Sequence, residues 1–359
     1  MPPFKILTVV GARPQFIKAA AVSRALIEDG GFVEVILHTG QHFDDNMSGA
    51  FFRELDIPEP AYNLEISNCS HAQMTARMLE AIESIIHREN PDGMLVYGDT
   101  NSTLAGALAA AKLGVPVFHV EAGLRSYRRS MPEEINRVLT DHISDLLLCP
   151  TAQAVSNLHR EGIQTGVHHI GDVMFDTARL AMLSFKGRPN IGEQLGLSER
   201  GYFLATLHRA ENTVNARMLQ DCIDYLSAQS KAAGLPTVMP LHPRTQKAAE
   251  RFGVSLAALH VIPPLGYLDM ARLLSSACCV FTDSGGLQKE AYFHSVPCVT
   301  LRDETEWPET VTHGWNRLWR QESFLERRAI SDYGDGTASS QAVTCISRYL
   351  RSRVVGPAF

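Results

Sequence analysis

Residues 277–291 read Ala-Cys-Cys-Val-Phe-Thr-Asp-Ser-Gly-Gly-Leu-Gln-Lys-Glu-Ala, which predicts a strand, a tight turn and a helix in immediate succession. The apolar run ends at Phe281, and the polar turn that follows contains Gly285 and Gly286. A helix that begins directly after a strand presents unpaired backbone N–H groups and a positive dipole end, which suits a phosphate group. An ordinary turn with Ser284 as the helix N-cap fits the same residues, so both interpretations stay open.

The predicted helix places one carboxylate near this turn. Glu290 lies one turn into the helix, where it could accept hydrogen bonds from the hydroxyl groups of a ribose. Neither G-x-G-x-x-G nor G-x-x-x-x-G-K-[ST] occurs in the chain. The turn therefore predicts an anion site without the fingerprint of a nicotinamide cofactor.

The composition indicates a soluble globular protein. A length of 359 residues predicts two domains, and 45% hydrophobic with 20% charged residues is ordinary for globular proteins. A net charge of −6 without a basic block argues against nucleic acid as a partner.

The cysteine pattern and the apolar runs indicate which ligands and which cellular compartment to expect. The seven cysteines form no C-x-x-C and no spacing typical of zinc, so we expect no metal and no cofactor. Buried thiols in a reducing cytosol fit this pattern. No stretch has the length of a membrane span or the form of a signal peptide, so we expect a cytoplasmic protein without a membrane partner.

Short apolar runs alternate with helical segments along the whole chain, which predicts an α/β fold with parallel sheets covered on both faces. A polar segment at residues 184–190 contains Gly and Pro, as a linker would. We expect two doubly wound domains, residues 1–183 and 184–337, with a helix at about 338–359 packing back on the first. Ligands of such sheets bind beyond the carboxyl ends of the strands, so we expect a site in a cleft between the domains.

In the first domain, two cations follow the first predicted strand. Arg13 and Lys18 lie at a helix start, where the dipole disfavours positive charge unless an anion binds there. Asp99 follows the third strand and is either a helix cap or an acid–base group.

Three further carboxylates of the first domain are candidates. Glu121 lies at the tip of an apolar strand, and a structural ion pair with Arg125 is the alternative to a functional role. Glu133 and Glu134 lie in the first turn of a helix, which helix physics alone explains. Carboxylates that share a pocket with Glu121 would acquire separate pKa values and opposite roles.

In the second domain, His208 follows a strand directly and could bind a diphosphate or donate a proton, or simply cap or fill the core. Trp307 lies in an acidic loop at another strand end, where no local rule requires it. Cations, a phosphate-binding helix start and several carboxylates together fit a nucleoside diphosphate that carries a further group. The residues alone leave two reactions open, transfer of a sugar to an acceptor or rearrangement of the sugar itself.

Seven motifs decide between these readings by resemblance. In this order along the chain they resemble the UDP-N-acetylglucosamine 2-epimerase family, and they extend over nearly all of it. They are Gly-Ala-Arg-Pro-Gln (11–15), Gly-Asp-Thr-Asn-Ser-Thr (98–103), His-Val-Glu-Ala-Gly-Leu-Arg (119–125), Pro-Glu-Glu-Ile-Asn-Arg (132–137), His-Arg-Ala-Glu-Asn (208–212), Asp-Ser-Gly-Gly-Leu-Gln-Lys-Glu (283–290) and Tyr-Gly-Asp-Gly (333–336).

The resemblance implies a glycosyltransferase-B fold and reversible inversion at C2 of a UDP-N-acetylhexosamine through a glycal, for the synthesis of surface polysaccharide. It assigns acid–base roles to Asp99, Glu121 and Glu133, with Glu134 as an alternate, and a diphosphate contact to His208. The expected substrate and UDP contacts share positions at strand ends and helix starts. They are Arg13, Lys18, Arg125, Glu134, His208, Ser284, Gly285, Gly286, Glu290 and Trp307.

The chain departs from the commonest family motifs at four positions. Ala12 and Gln15 replace Thr and Glu in the first loop, and Glu304 and Trp307 replace Thr and Arg in a late one. These variants look more like a branch that acts on UDP-2,3-diacetamido-2,3-dideoxyglucuronic acid. A uronate needs a cation nearby, and Arg128 with Arg129 is the candidate pair.

Further expectations come from the family alone. A homodimer is expected, and Gln41 with His42 partly matches an allosteric UDP-sugar site of some members. A hydrolysing epimerase, a glycosyltransferase of the same fold and a silent UDP-sugar-binding protein are the alternatives. Retention of Asp99, Glu121 and Glu133 together counts against the last of these.

Overall fold

The computed structural model describes residues 2–41 and 49–355, which divide into two compact units. Unit one comprises Met1–Thr177 together with Ser331–Phe359, and unit two comprises Ala178–Ile330. Each unit is built around its own parallel sheet, so the predicted α/β class with two doubly wound sheets is confirmed.

The sheet of unit one is parallel throughout, in the order β3-β2-β1-β4-β5-β6-β7. The central strands are almost wholly apolar and buried, as expected for strands covered on both faces. Its strands are β1 (Phe4–Val10), β2 (Phe32–His38), β3 (Tyr62–Asn63), β4 (Gly93–Tyr97), β5 (Val117–Val120), β6 (Leu146–Cys149) and β7 (Val167–His169).

Helices connect these strands, and several of them begin at a capping hydroxyl group. The Ser70 and Thr100 hydroxyls accept hydrogen bonds from backbone N–H groups in the first turns of α3 and α4. The helices are α1 (Arg13–Asp29), α2 (Gly49–Glu54), α3 (His71–Glu89), α4 (Asn101–Lys112), α5 (Pro132–Ile143), α6 (Ala152–Arg160) and α7 (Val173–Ser184).

The sheet of unit two is also parallel, in the order β10-β9-β8-β11-β12-β13. Its strands are β8 (Phe203–Thr206), β9 (Thr237–Pro240), β10 (His260–Ile262), β11 (Cys279–Thr282), β12 (Cys298–Thr300) and β13 (Asn316–Leu318). Its helices are α8 (Ile191–Gln194), α9 (Ala210–Thr213), α10 (Ala216–Ala233), α11 (Pro243–Phe252), α12 (Tyr267–Ser276), α13 (Gly285–Phe293) and α14 (Pro308–Thr312).

The chain returns to unit one through a short 3₁₀ helix, Ser331–Tyr333, and the long helix α15 (Ala338–Val355). The Asp176 carboxylate accepts hydrogen bonds from the backbone N–H groups of Ala338 (3.2 Å) and Ser339 (2.7 Å), which caps the start of α15. Buried apolar side chains of α15, among them Ile346 and Leu350, join the core of unit one.

The boundaries between the units differ from the predicted ones by several residues. They lie at 177/178 and 330/331, whereas the sequence indicated 183/184 and 337/338. The reason is that α7 runs through the first boundary without a break, so the polar segment at 184–190 follows the boundary. Among the described residues, no helix has the length and apolar character needed to span a membrane.

Candidate active site

The candidate residues of unit one lie in loops that follow neighbouring strands. The strand order reverses between β1 and β4, and ligands of doubly wound sheets bind beyond the carboxyl ends of strands at such a point. Arg13 and Lys18 follow β1, Asp99 follows β4, and Glu121 follows β5. Arg13 lies over the ring of Phe51, 4.7 Å from its centroid.

Lys18 and Glu121 form a buried ion pair through Nζ and Oε2. Gly98, with φ +63°, lies against this pair, and a Cβ there would stand 3.1 Å from Lys18 Nζ and 3.3 Å from Glu121 Oε2. A side chain at position 98 would therefore crowd the pair as well as strain the backbone. The sequence predicts an anion near the two cations at the start of α1, and Glu121 supplies negative charge beside Lys18.

The backbone of Glu121 is strained. Its φ is +69°, a left-handed conformation that a non-glycine residue rarely adopts. Its N–H donates to the Leu148 carbonyl at 3.0 Å, so β6 holds the turn in place. Strain of this kind costs about 1–3 kcal/mol and clusters at functional sites.

Asp99 meets a cation that the sequence did not single out. Its Oδ2 accepts hydrogen bonds from Arg137 Nε (3.0 Å) and Nη2 (2.7 Å), while Arg137 Nη1 donates to Glu134 Oε2 at 2.8 Å. The Asp99 side chain is 32% exposed, so a ligand can reach it. The motif Pro-Glu-Glu-Ile-Asn-Arg already placed an Arg one turn after the two acids, which was the available signal.

Glu134 accepts hydrogen bonds from its own loop and helix, and its expected contact with the substrate stays a prediction. Its carboxylate accepts hydrogen bonds from the N–H groups of Ser126 and Tyr127, each at 2.8 Å, as well as from Arg137. Burial alone would raise the pKa of Glu134, but these donors outweigh burial and hold the pKa below its usual value. The carboxylate fixes the loop before α5 and is buried within it.

Glu133 differs from its neighbour. It is partly exposed at the start of α5 and has no hydrogen bond or ion pair with any other residue in the described ranges. Nor does any contact among those residues join it to Asp99 or Glu121. Its expected role in proton transfer stays a prediction.

Arg125 meets two acids of its own unit, and its expected contact with the substrate stays a prediction. Its guanidinium donates to Asp141 Oδ2 and to both carboxylate oxygens of Glu161, each at 2.7 Å. The side chain is only 1% exposed. In place of the Glu121–Arg125 ion pair that the sequence left open, Glu121 pairs with Lys18, and Arg125 pairs with Asp141 and Glu161.

In unit two, Asp283 joins the loops that follow β8 and β11. Its buried carboxylate accepts hydrogen bonds from the backbone N–H groups of His208 (2.9 Å) and Arg209 (2.8 Å) and from Asn212 Nδ2 (3.1 Å). Burial would raise the pKa of Asp283, but these bonds and the nearby His208 ring hold it below its usual value. The strand order reverses between β8 and β11, so this junction lies at the expected ligand-binding edge.

His208 lies at this edge with its side chain 36% exposed. Its Nδ1 is 3.2 Å from Asp283 Oδ1, and its ring centroid is 5.4 Å from that of His242. The contact through Nδ1 orients the ring so that Nε2 is directed away from Asp283. A ring held in this way can donate a hydrogen bond to an anion.

The start of α13 combines both interpretations of the opening stretch. Ser284 is the N-cap, and its Oγ accepts a hydrogen bond from Leu287 N at 3.4 Å. Next to it, a Cβ on Gly285 would lie 3.4 Å from Glu306 Oε2, 3.5 Å from Arg209 Nη2 and 3.6 Å from Trp307 Nε1. Two hydrogen-bond donors and one carboxylate from two other loops therefore lie beside the first turn of α13.

Arg209 was not singled out from sequence, although it directly follows His208. Glu306 orients it, with Oε1 at 3.3 Å from Arg209 Nη2 and also 2.9 Å from Arg302 Nη1. Trp307 is buried, with Lys289 Nζ 3.9 Å from its ring centroid. Its Nε1 has no hydrogen-bond partner among the described residues. Gly286 and Glu290 lie in the same helix, and Glu290 is largely buried.

The remaining expected site residues lie elsewhere. Gln41 accepts a hydrogen bond from Ser102 Oγ at 3.1 Å, while His42 lies outside the described residues. Within the described ranges, no three His, Cys, Asp or Glu side chains are grouped so that they could hold a metal ion.

Comparison with known proteins identifies relatives along almost the whole chain. The family model described as UDP-N-acetylglucosamine 2-epimerase matches residues 24–347. A Pseudomonas aeruginosa protein named UDP-2,3-diacetamido-2,3-dideoxy-D-glucuronate 2-epimerase is 50% identical over 96% of this chain and 99% of its own. A Methanococcus maripaludis protein named UDP-N-acetylglucosamine 2-epimerase homolog is 51% identical over 88% of each chain.

Solved structures agree with these matches. The crystal structure of Methanocaldococcus jannaschii UDP-GlcNAc 2-epimerase, in complex with UDP-GlcNAc and UDP, is 38% identical with a TM-score of 0.85. It covers 96% of this chain and 99% of that one. The Neisseria meningitidis UDP-GlcNAc 2-epimerase bound to UDP-GlcNAc is 28% identical with a TM-score of 0.83, over 96% of this chain and all of that one.

Proposed function

Because this chain belongs to the UDP-N-acetylglucosamine 2-epimerase family, we propose that it inverts C2 of a UDP-N-acetylhexosamine by eliminating and re-adding UDP. The observation that carries the proposal is the strained Glu121, paired with Lys18 against the loop that leads into Asp99. Two carboxylates that follow adjacent strands supply the acid–base groups that such a reaction needs.

The chemistry explains why elimination is the proposed route. The C2–H bond has no adjacent carbonyl and is barely acidic, so direct removal of the proton is too difficult. Departure of UDP from C1 builds positive charge at C1, which acidifies C2–H. Loss of that proton leaves a C1=C2 double bond, the glycal. Protonation of C2 from the opposite face and return of UDP to C1 then give the epimer.

Glu121 and Asp99 take the central roles in this proposal. Glu121 shares its charge with Lys18, and Asp99 shares its charge with Arg137. Each ion pair places a cation beside one of the two carboxylates. General acid–base groups contribute roughly 10²–10⁴-fold to rate. Glu133 is the third candidate, and the assignment of base and acid among the three stays part of the proposal.

Unit two has the features of a UDP-binding unit, and we assign it that role. The first turn of α13, with Ser284, Gly285 and Gly286, offers backbone N–H groups to the diphosphate. Arg209 and His208 add a cation and a ring N–H at the same edge, and Trp307 Nε1 is a further donor. Glu290 is assigned to the ribose hydroxyls. The departing UDP must stay bound, since released UDP could not re-add.

We assign the substrate to the 2,3-diacetamido-2,3-dideoxyglucuronate derivative of UDP, with UDP-N-acetylglucosamine as the comparison substrate. Two observations support this choice: the 50% identity to the Pseudomonas aeruginosa protein of that name, and Trp307 in place of a motif Arg. Arg128 and Arg129 are the candidate partners of the uronate. A cytoplasmic homodimer that serves surface polysaccharide synthesis completes the proposal.

The experiment that tests this function is incubation with each UDP-sugar in deuterated water without an acceptor, followed by proton NMR. We expect an epimer that carries deuterium at C2 and is still bonded to UDP. Free sugar plus UDP would indicate a hydrolysing epimerase instead. No change without an acceptor would exclude both and leave a glycosyltransferase or a binding protein.

A single substitution tests the role of Glu121. Glu121→Gln removes the charge and the proton acceptor but keeps the size of the side chain. We expect UDP affinity to stay within about twofold while turnover falls by roughly 10²–10⁴-fold. The measurements are calorimetric titration with UDP and the rate of deuterium incorporation. Turnover like that of the wild type would remove Glu121 from the chemistry.

A further inference from the structure

A buried network of charged side chains adjoins the turn that carries Glu121. It consists of His119, Asp141, Arg125 and Glu161, and the side chains of His119 and Asp141 are wholly buried. The function proposed above gives these residues no role. The network is therefore a candidate for control of the geometry of that turn.

One carboxylate binds the chain on both sides of Glu121. Asp141 Oδ1 lies 2.7 Å from His119 Nδ1, two residues before Glu121. Asp141 Oδ2 accepts a hydrogen bond from the backbone N–H of Gly123, two residues after it, at 3.1 Å. Asp141 thus fixes the two flanks of a residue whose own φ is +69°.

His119 extends the network to the loop of the second carboxylate. Its Nε2 donates to the Gly98 carbonyl at 2.8 Å, and Gly98 directly precedes Asp99. Each of its two ring nitrogens therefore lies within hydrogen-bond distance of an oxygen acceptor. The imidazole therefore connects the loop after β4, the strand β5 and the helix α5.

The network places two carboxylates against a guanidinium and an imidazole ring. Arg125 donates to Asp141 Oδ2 and to both oxygens of Glu161 at 2.7 Å. Burial would raise the pKa of Asp141, but the hydrogen bond from His119 and the charges of His119 and Arg125 outweigh burial and lower it. Asp141 therefore stays ionised, and the bonds on both sides of Glu121 are charge-assisted and strong.

We propose that His119 and Asp141 are positioning residues that hold the strained Glu121 turn and the Asp99 loop in one fixed arrangement for catalysis. The inference rests on the proposed function, because it assumes that these two carboxylates act on the substrate. Neither positioning residue is assigned a contact with the substrate. Their effect is to keep the reacting carboxylates in place, where small displacements cost rate.

Three substitutions at one position separate the two bonds of the ring. His119→Gln keeps a donor near the position of Nε2, and His119→Asn keeps one near the position of Nδ1. His119→Phe keeps the ring shape and removes both donors, while Asp141 still pairs with Arg125. We expect kcat to fall about 100-fold in the Phe variant and by intermediate factors in the other two, with KM and UDP affinity within about threefold.

Asp145 provides a matched control at the opposite end of β5. Its Oδ2 accepts a hydrogen bond from Val117 N at 2.9 Å, and its Oδ1 accepts one from Tyr349 Oη at 2.7 Å. Asp145→Asn weakens the anchoring of the same strand away from the turn. We expect it to lower the melting temperature without changing kcat. If His119 were merely structural, its variants would likewise lower the melting temperature without lowering kcat.

The outcomes separate this inference from the proposed function. If the wild type exchanges its C2 proton and the folded His119→Gln and His119→Asn variants both keep its kcat, the positioning role is wrong. If the wild type shows no exchange, the proposed function fails. Crystal structures of the same variants then still test whether His119 holds the Glu121 turn. We expect the Glu121 backbone to leave the left-handed region there, and an unchanged turn would overturn the inference.

Discussion

At the scale of single residues, Gln15 shows why one departure from the commonest family motif suits this chain. Its Oε1 accepts hydrogen bonds from the N–H groups of Gly11 (2.8 Å) and Ala12 (3.0 Å). Its Nε2 donates to the Tyr97 carbonyl at 2.9 Å and to Thr103 Oγ1 at 3.0 Å. One buried amide thus connects the loop after β1 to the end of β4. This position requires a side chain that both donates and accepts hydrogen bonds.

Gln15→Glu should destabilise the protein at neutral pH. A carboxylate would replace the amide donor and face the Tyr97 carbonyl, so a buried acceptor would lose its partner at a cost of about 2 kcal/mol. A protonated acid can donate to that carbonyl, so we expect the folded-state pKa of the new group to be raised and the loss to shrink toward pH 4. Urea unfolding at pH 7 and pH 4.5 measures both effects.

The matched control for this substitution is Gln153→Glu. Gln153 is exposed in α6 and donates only to Asn157 Oδ1 among the described residues. We expect a change within about 0.5 kcal/mol, as is usual for surface positions. Equal losses of stability in the two variants would show that the buried Nε2 donor of Gln15 contributes no more to stability than an exposed amide does.

His294 predicts a loss of stability in mild acid. It is buried in unit two, its ring stacks on Phe185 with centroids 6.5 Å apart, and neither ring nitrogen has a partner among the described residues. Burial lowers the pKa of His294 to about 4. The unfolded chain therefore binds a proton that the folded state rejects between about pH 6.5 and pH 4, and stability falls as pH falls through that window.

His294→Phe should remove this dependence. With a folded-state pKa near 4, the histidine accounts for about 2 kcal/mol of stability lost between pH 7.5 and pH 5. A phenyl ring stacks on Phe185 and does not titrate. Denaturant unfolding at the two pH values should show a flatter profile in the variant, and parallel profiles would refute the assignment to His294.

Residues also mark the limit of what the sequence predicts. Asp99, Glu121 and His208 lie at strand ends as expected, because apolar runs and turns identify those ends. The partners of Arg125 could not be predicted, because Asp141 and Glu161 are 16 and 36 residues away in the chain. Local pattern carries no information about which distant acid a buried cation meets.

At the scale of elements, the start of α13 is open enough to test its role as an anion site. Gly285 has no neighbour closer than 3.4 Å to the position of a Cβ, so alanine fits there in ordinary van der Waals contact. A methyl group at that position would nevertheless cover the N–H groups of the first turn. Stability and ligand binding should therefore respond differently to one substitution.

Gly285→Ala should weaken UDP binding by about tenfold or more, the equivalent of losing one good hydrogen bond, while the melting temperature stays nearly constant. Gly192→Ala in α8 is the control, because it also adds a methyl group to a helical glycine of unit two. Calorimetric titration with UDP and thermal unfolding provide the two readings. Unchanged UDP affinity would exclude this turn from the binding site.

The inner strands of each sheet were more predictable than the strands at its edges. The apolar runs predict strands at residues 93–97, 146–149 and 237–240, and β4, β6 and β9 have these bounds because the runs end at clear turns. The edge strands β3 (Tyr62–Asn63) and β13 (Asn316–Leu318) were not predicted. They are two or three residues long and partly exposed, so they lack the continuous apolar run that identifies a buried strand.

At the scale of the whole molecule, unit one is assembled from two separate parts of the chain. Residues 331–355 return to it after unit two, and α15 contributes Ala342, Val343, Ile346 and Leu350 to its core. The sequence indicated this return through the helical pattern near the C-terminus. It could not supply the Asp176 cap, which depends on residues more than 160 positions apart.

Deletion of residues 331–355 should therefore destabilise unit one selectively. Exposure of the apolar side chains that α15 covers would cost on the order of 5 kcal/mol. Hydrogen exchange resolved along the chain should show faster exchange in β1 and β4 and little change in β8 and β11. Equal acceleration in both sheets would indicate that the two units do not unfold separately.

The discontinuity of unit one has a consequence for synthesis on the ribosome. Unit two is continuous in the chain, so all of its residues emerge before α15 does. The nascent N-terminal sheet must wait, without its final helix, while about 150 further residues are translated, which takes roughly ten to thirty seconds. During that interval the apolar face that α15 later covers is available to chaperones, and slow codons within unit two would lengthen the exposure.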